Sequence, residues 1–185
     1  IEEWKGDGKA LETGKKKHAP TTFKASVVKS RIATTDEVVK IAKGEIKDVN
    51  VIDSRSEKEH KGEDIRAVRG GHIPNTMINV SHTDTYHVET GTIFSADGLE
   101  MLFGKLDKNK RTIPYCQTGT RSTLTYLELR LMGFKYPANY DDSWIVYGSN
   151  VNYPAANENW YDFVKVNDAL KKIDALSKEI EQLKK

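Results

Sequence analysis

From Thr34 onward the chain alternates short β-branched runs with stretches whose apolar residues recur every three or four positions, a pattern of strands separated by helices. Val38, Val39 and Ile41 follow a capping Thr34 or Thr35 and stop at Gly44, which predicts a short first helix. Val49-Asn50-Val51-Ile52 ends at Asp53 and reads as a buried strand. Ile78-Asn79-Val80, after the turn Gly70-Gly71-His72-Ile73-Pro74, reads as a second. Leu99, Leu102, Phe103 and Leu106 fall at helical spacing and predict a helix over Ala96 to Leu106. Thr112-Ile113-Pro114-Tyr115 is a third strand, in which Pro114 has no amide hydrogen to give a ladder. Ser122 is the expected cap of a helix running to Met132, with Leu124, Leu127 and Leu131 as its apolar face and Gly133 as its stop. Pro137-Ala138-Asn139-Tyr140 leads into one more short strand. The order predicts an α/β domain with a central, mainly parallel sheet and helices on both faces. Ligands of such sheets sit at the carboxyl ends of the strands, where Asp53 and Cys116 both fall.

The two ends follow other patterns. Residues 1–33 combine glycines, Pro20 and a lysine run with few apolar positions and read as a linker or extended arm. Residues 34–157 form the expected domain. Residues 158–185 are expected as a helical extension, since Phe163, Val166, Leu170, Ile173, Leu176, Ile180 and Leu183 recur at threes and fours. Such a helix packs on its own domain, or pairs with a partner protein or a second copy of itself. A length of 185 residues suits one core with extensions. With 29 basic and 27 acidic residues the net charge is only +2, which suggests no nucleic-acid partner, and Lys15, Lys16 and Lys17 read as a solvated loop. No stretch approaches the roughly 20 apolar residues of a membrane span, and the start shows no signal-peptide pattern. A first residue Ile1 fits a processed protein or a fragment.

Cys116 is the only cysteine, which excludes an intrachain disulfide framework and a cysteine-based zinc cage. It follows a strand and opens the loop Gln117-Thr118-Gly119-Thr120-Arg121-Ser122, which leads into a helix. A loop curled over a helix N-terminus points backbone amides and the positive dipole end at its centre, and so favours an anion there. That field favours a Cys116 thiolate, a nucleophile near neutral pH. Gly119 permits the curvature, Arg121 holds charge or an anionic substrate, and Ser122 donates to sulfur. A lone cysteine in an α/β domain is more often an inert core residue, but these polar and small neighbours do not form a core run.

The motif Cys116-Gln117-Thr118-Gly119-Thr120-Arg121-Ser122 resembles the active loop of rhodanese sulfurtransferases. Val51-Ile52-Asp53-Ser54-Arg55, Gly71-His72-Ile73-Pro74 with Ile78-Asn79-Val80, and Tyr140-Asp141-Asp142-Ser143-Trp144 resemble further motifs of that family in the same order. The likeness covers roughly Thr34 to Pro154 and is nearest to the catalytic C-terminal domain of tandem thiosulfate sulfurtransferases. The stretch from Trp4 to Phe23 is similar to the segment that crosses from a preceding rhodanese domain. The resemblance implies that Cys116 carries sulfane sulfur as a persulfide from an anionic donor such as thiosulfate to a thiol or cyanide, with no metal or organic cofactor. It implies an anion cradle from Gln117 to Ser122, donor binding by Arg55, a pocket-lining or underlying Trp144, and structural roles for Asp53 and His72. Asn75 replaces the family's glycine after the proline, and Gln117 and Thr118 replace the basic pair of some thiosulfate-specific loops. A periplasmic setting is preferred only because reduced sulfur compounds are often handled there. Two rival readings remain. One is a cysteine phosphatase or arsenate reductase, whose loop is one residue longer than the four between Cys116 and Arg121. The other is a rhodanese-like regulatory or binding module.

Overall fold

The computed structural model describes residues 1–184. In chain order the helices are α1 (Glu2–Gly6), α2 (Thr35–Ala42), α3 (Glu57–His60), α4 (Ala96–Phe103), α5 (Thr120–Leu131), α6 (Ser143–Tyr147) and α7 (Phe163–Leu183). The strands are β1 (Ile32–Ala33), β2 (Val49–Asp53), β3 (Gly70–His72), β4 (Ile78–Asn79), β5 (Tyr86–His87), β6 (Thr92–Ile93), β7 (Arg111–Tyr115), β8 (Tyr136–Pro137), β9 (Asn139–Tyr140) and β10 (Ala156–Asn159). The central sheet runs β4-β2-β7-β8 and is parallel throughout. β2 and β7 pair over their whole length, from Val49 opposite Arg111 to Asp53 opposite Tyr115. Asp53 and the start of the cysteine loop therefore leave the sheet side by side.

Two apolar layers cover the sheet. Val51, Ile113 and Tyr115 pack with Val38 and Ile41 of α2 and with Trp144 and Tyr147 of α6. Ile52 packs with Leu99 and Phe103 of α4, Leu129 of α5, and Phe134. The alternation of Val51 and Ile52 thus sends neighbouring residues to opposite cores, as a strand buried on both faces requires. Pro114 is accommodated by the same alternation. The Tyr115 carbonyl accepts from Ser54 on the β2 side, and that of Thr112 accepts from Ala138 on the other side. The nitrogen of Pro114 therefore faces β8, beyond Thr112, the last residue paired there.

Local signals explain the element ends. Thr34 caps α2 by accepting from the Glu37 amide, and Ser56 and Glu59 form a reciprocal capping box on α3. Asn75 takes a φ of 64°, the left-handed angle for which glycine and asparagine are suited. The start of α5 differs from expectation: Gly119 occupies the cap position at φ 82°, and Ser122 lies inside the first turn with its hydroxyl on the Gly119 carbonyl (2.8 Å). Its inward face also differs. Ser122, Thr125, Glu128 and Leu129 are buried, whereas Leu127 and Leu131 are exposed. The cysteine loop fixes the helix rotation at one end, and the Ser54–Thr125 hydroxyl bond (2.9 Å) fixes it at the second turn.

Residues 1–32 are exposed. The arm joins the domain at its end, where Arg111 donates to the carbonyls of Ser30 and Ile32 and to Glu37, and β1 pairs with β9. Among the described residues no helix is long and apolar enough to cross a membrane.

Candidate active site

Cys116 sits at the carboxyl end of β7, fully buried. The start of α6 holds its backbone from behind: Cys116 N–H donates to Ser143 Oγ (3.0 Å), and the amides of Trp144 and Ile145 donate to the carbonyls of Cys116 and Gln117. Ser143 Oγ also donates to the Tyr140 carbonyl (2.8 Å), and the residue adopts a φ of 51° to do both. Gly119 is required at the turn of the loop. A Cβ there would meet the backbone and carboxylate of Asp141, and its φ is positive.

The sulfur feels opposing influences. Burial pushes the thiol pKa up, but the Ser122 amide and hydroxyl, the Thr118 amide and the Arg121 charge outweigh it and hold the thiol below its ordinary value. Thr118 and Thr120 are exposed at the rim. Gln117 turns away from the rim, and its Nε2 donates to the Arg66 carbonyl (2.6 Å).

Arg121 is held in a bidentate pair with Glu59, at 2.8 and 2.7 Å. The carboxylate of Glu59 also accepts from the Ser56 amide and hydroxyl. Burial raises the Glu59 pKa, yet the bonds from Arg121 and Ser56 bring it below the ordinary carboxylate value. The pair makes two bonds with Glu59 buried and Arg121 22% exposed, so Arg121 stays oriented while its charge remains at the loop. Glu59 was not among the expected site residues, although the Ser56-x-x-Glu59 capping box was visible in the sequence. His82 was missed as well. Its ring lies within electrostatic reach of the Arg121–Glu59 pair; burial, then the Arg121 charge, lowers its pKa, and its Nδ1 is buried with no hydrogen-bond partner among the described residues.

Arg55 is turned into the domain. It is 1% exposed, with its guanidinium on both Asp53 oxygens (2.7–3.2 Å) and the Gly71 carbonyl (2.7 Å), above the Trp144 ring at 4.8 Å. A buried guanidinium takes the carboxylate that satisfies it. Trp144 is likewise no pocket wall: it is wholly buried and donates from Nε1 to the Arg69 carbonyl (3.0 Å). Asp53 accepts from Arg55, from the Tyr115 hydroxyl (2.9 Å) and at 3.0 Å from His60. Burial pushes its pKa up, but the Arg55 charge and the bonds from His60 and Arg55 bring it down to about 2. His72 stacks on His60 with ring centroids 3.7 Å apart and bonds through Nδ1 to the His60 carbonyl (2.9 Å).

The structure thus brings together Cys116, Thr118, Gly119, Thr120, Arg121 and Ser122 in one loop, and sets Asp53, Arg55 and Trp144 in a buried network beside it, with the half-buried His72 at its edge. A cavity of about 350 Å³ lined by Glu57, His60, Lys61, Asn79, Ser81 and Asp84 includes none of the cysteine-loop residues. Among the described residues no three His, Cys, Asp or Glu side chains are placed to hold a metal ion.

Comparison with known proteins adds three findings. Residues 34–149 match the profile of the rhodanese-like domain family. The chain is 37% identical over 166 residues to the protein named "Putative thiosulfate sulfurtransferase" in Saccharopolyspora erythraea, covering 83% of this chain and 57% of that relative. It is 32% identical over 115 residues to the thiosulfate sulfurtransferase of Corynebacterium glutamicum, covering 57% of this chain and 38% of that relative. The chain therefore spans a little over half, or less, of the length of these relatives. Among solved structures it is similar to SseA of Escherichia coli, described as a 3-mercaptopyruvate sulfotransferase, with a TM-score of 0.63 and 22% identity over 78% of this chain and 53% of that one.

Proposed function

The chain belongs to the rhodanese-like domain family, and from that premise we propose that it is a sulfurtransferase domain whose Cys116 carries sulfane sulfur as a persulfide. The observation that carries the reading is the set of groups around one buried sulfur: two loop amides, the Arg121 charge and the Ser122 hydroxyl, whose single proton is divided between the sulfur and the Gly119 carbonyl. They favour an anion at that point, first the thiolate and then the outer sulfur of a persulfide.

The reaction is a double displacement. The Cys116 thiolate attacks the outer sulfur of thiosulfate, the bond between the two donor sulfurs breaks, and sulfite leaves with the electron pair. The terminal sulfur of the persulfide then carries the negative charge inside the loop. A thiolate or cyanide attacks that sulfur, the S–S bond to Cys116 breaks, and the cysteine thiolate is regenerated with persulfide or thiocyanate as product. No electrons are gained or lost overall. Arg121, held by Glu59, supplies the fixed positive charge. Thr118 and Thr120 border the entry, and Arg55, Asp53 and Trp144 hold the floor. Residues 34–159, through β10, act as the catalytic unit, with 1–33 as an arm that joins it through β1 and α7 (Phe163–Leu183) as an added helix.

The test is incubation of the chain with thiosulfate followed by intact mass measurement. The native chain is expected to gain one sulfur atom and Cys116→Ser none. An equal gain in both would remove Cys116 as the carrier, and turnover of an aryl phosphate without any sulfur gain would replace the reading by a phosphatase.

A further inference from the structure

Helix α7 has no buried residue. Its apolar residues from Phe163 to Leu183 are 40–82% exposed. A 21-residue helix that presents such a stripe to water gains little from its own hydrogen bonds and is stabilised chiefly by covering that face.

The stripe is symmetric about Ile173. Leu170 and Leu176 stand three residues to either side, Val166 and Ile180 seven, and Phe163 and Leu183 ten. The charges are antisymmetric about the same residue. Lys172 and Asp174 stand one residue to either side, Asp168 and Lys178 five, Lys165 and Glu181 eight, and Asp162 and Lys184 eleven. The other two charges between 162 and 184, Lys171 and Glu179, stand opposite Ala175 and Asn167 in this reflection.

A parallel, in-register pair would set every one of these charges level with its own copy. An antiparallel pair centred on Ile173 sets each of the eight level with its opposite and keeps the seven residues of the stripe level with one another, Ile173 with its own copy; Val164, off that stripe, stands level with Gln182. We propose that α7 is a self-association helix that pairs antiparallel with α7 of a second copy of this chain, on a two-fold axis at Ile173. Apolar burial supplies the attraction, and the charge pattern selects the direction. The contact is isologous, and it places the two sulfurtransferase domains at opposite ends of the helix pair.

The first measurement is the mass of the full chain by light scattering at tens of micromolar. Twice the chain mass of 20.9 kDa is expected, and Ile173→Asp is expected to return it to one chain with unchanged sulfur uptake by Cys116. Direction is read by cross-linking. Chains carrying Val166→Cys and chains carrying Ile180→Cys, each also Cys116→Ser, are oxidised separately and mixed. The mixed disulfide is expected and the two self-disulfides are not, because an antiparallel pair sets the two copies of residue 166 about 21 Å apart, well beyond disulfide reach. A single-chain mass, or a double mass that survives Ile173→Asp, overturns self-pairing through α7 and leaves that face to another partner. Self-disulfides in place of the mixed one overturn the antiparallel direction.

Discussion

The thiol of Cys116 is set by a contest between burial, which favours the neutral form, and the amides, hydroxyl and guanidinium of its loop, which favour the thiolate. The donors prevail, so alkylation of Cys116 by iodoacetamide is expected to rise with pH through a midpoint below the ordinary thiol value of 9.0. Ser122→Ala removes the hydroxyl and keeps the amide, and is expected to move that midpoint upward by part of the difference. A midpoint unchanged in Ser122→Ala would show that the hydroxyl serves only the Gly119 carbonyl. Asp53 is the opposite kind of residue, a carboxylate that works through others. It fixes Arg55 and Tyr115 in place, and the role proposed for it is support of the loop floor.

At the scale of elements, α5 turns a polar face to the domain. Glu128 is fully buried, and neither of its carboxylate oxygens has a hydrogen-bond partner among the described residues. Burial raises its pKa above the ordinary 4.5. A carboxyl whose folded pKa is raised holds its proton more tightly in the native state than in the unfolded one. It therefore lowers stability progressively as pH rises from about 4.5 through the folded value. Glu128→Leu is expected to stabilise the domain at pH 7 by roughly 1–3 kcal/mol, the order of an unsatisfied buried polar group. Urea unfolding at pH 5 and pH 7 checks this, since the gain is larger at pH 7.

For the molecule as a whole, the chain after α6 is brought back to β3, outside the central sheet, by one buried cation. Arg69 donates to the carbonyls of Gly148, Asn150 and Tyr153 and to Glu158 (2.7–3.2 Å), and β10 pairs antiparallel with β3 beside it. Arg69→Ala leaves three carbonyls and a carboxylate without their donor, and is expected to cost roughly 3–5 kcal/mol. Thermal unfolding measures that loss, and proteolysis is expected to cut first between 148 and 159. A cost below about 1 kcal/mol would show that β3–β10 pairing suffices without the arginine.

Much of this was legible in the chain itself. The β-branched runs at Val49–Asp53 and Arg111–Tyr115 fix their own period, the caps at Thr34 and Ser56 fix helix starts, and the loop from Cys116 to Ser122 carries its chemistry in consecutive residues. These are local properties, set by backbone preference and spacing. The rotation of α5 was not local: Leu124, Leu127 and Leu131 look like an apolar face, but the Ser54–Thr125 bond and the Gly119 turn decide which side meets the sheet. Nor was the fate of Arg55, which could serve an anionic donor or a carboxylate until the fold placed Asp53 and Gly71 around it in a buried site. The sequence by itself determined the order of elements and which sulfur is the candidate nucleophile, since it holds a single cysteine. Tertiary structure alone decided which charges are spent on each other, because the pairing of buried charges depends on neighbours that lie far apart along the chain.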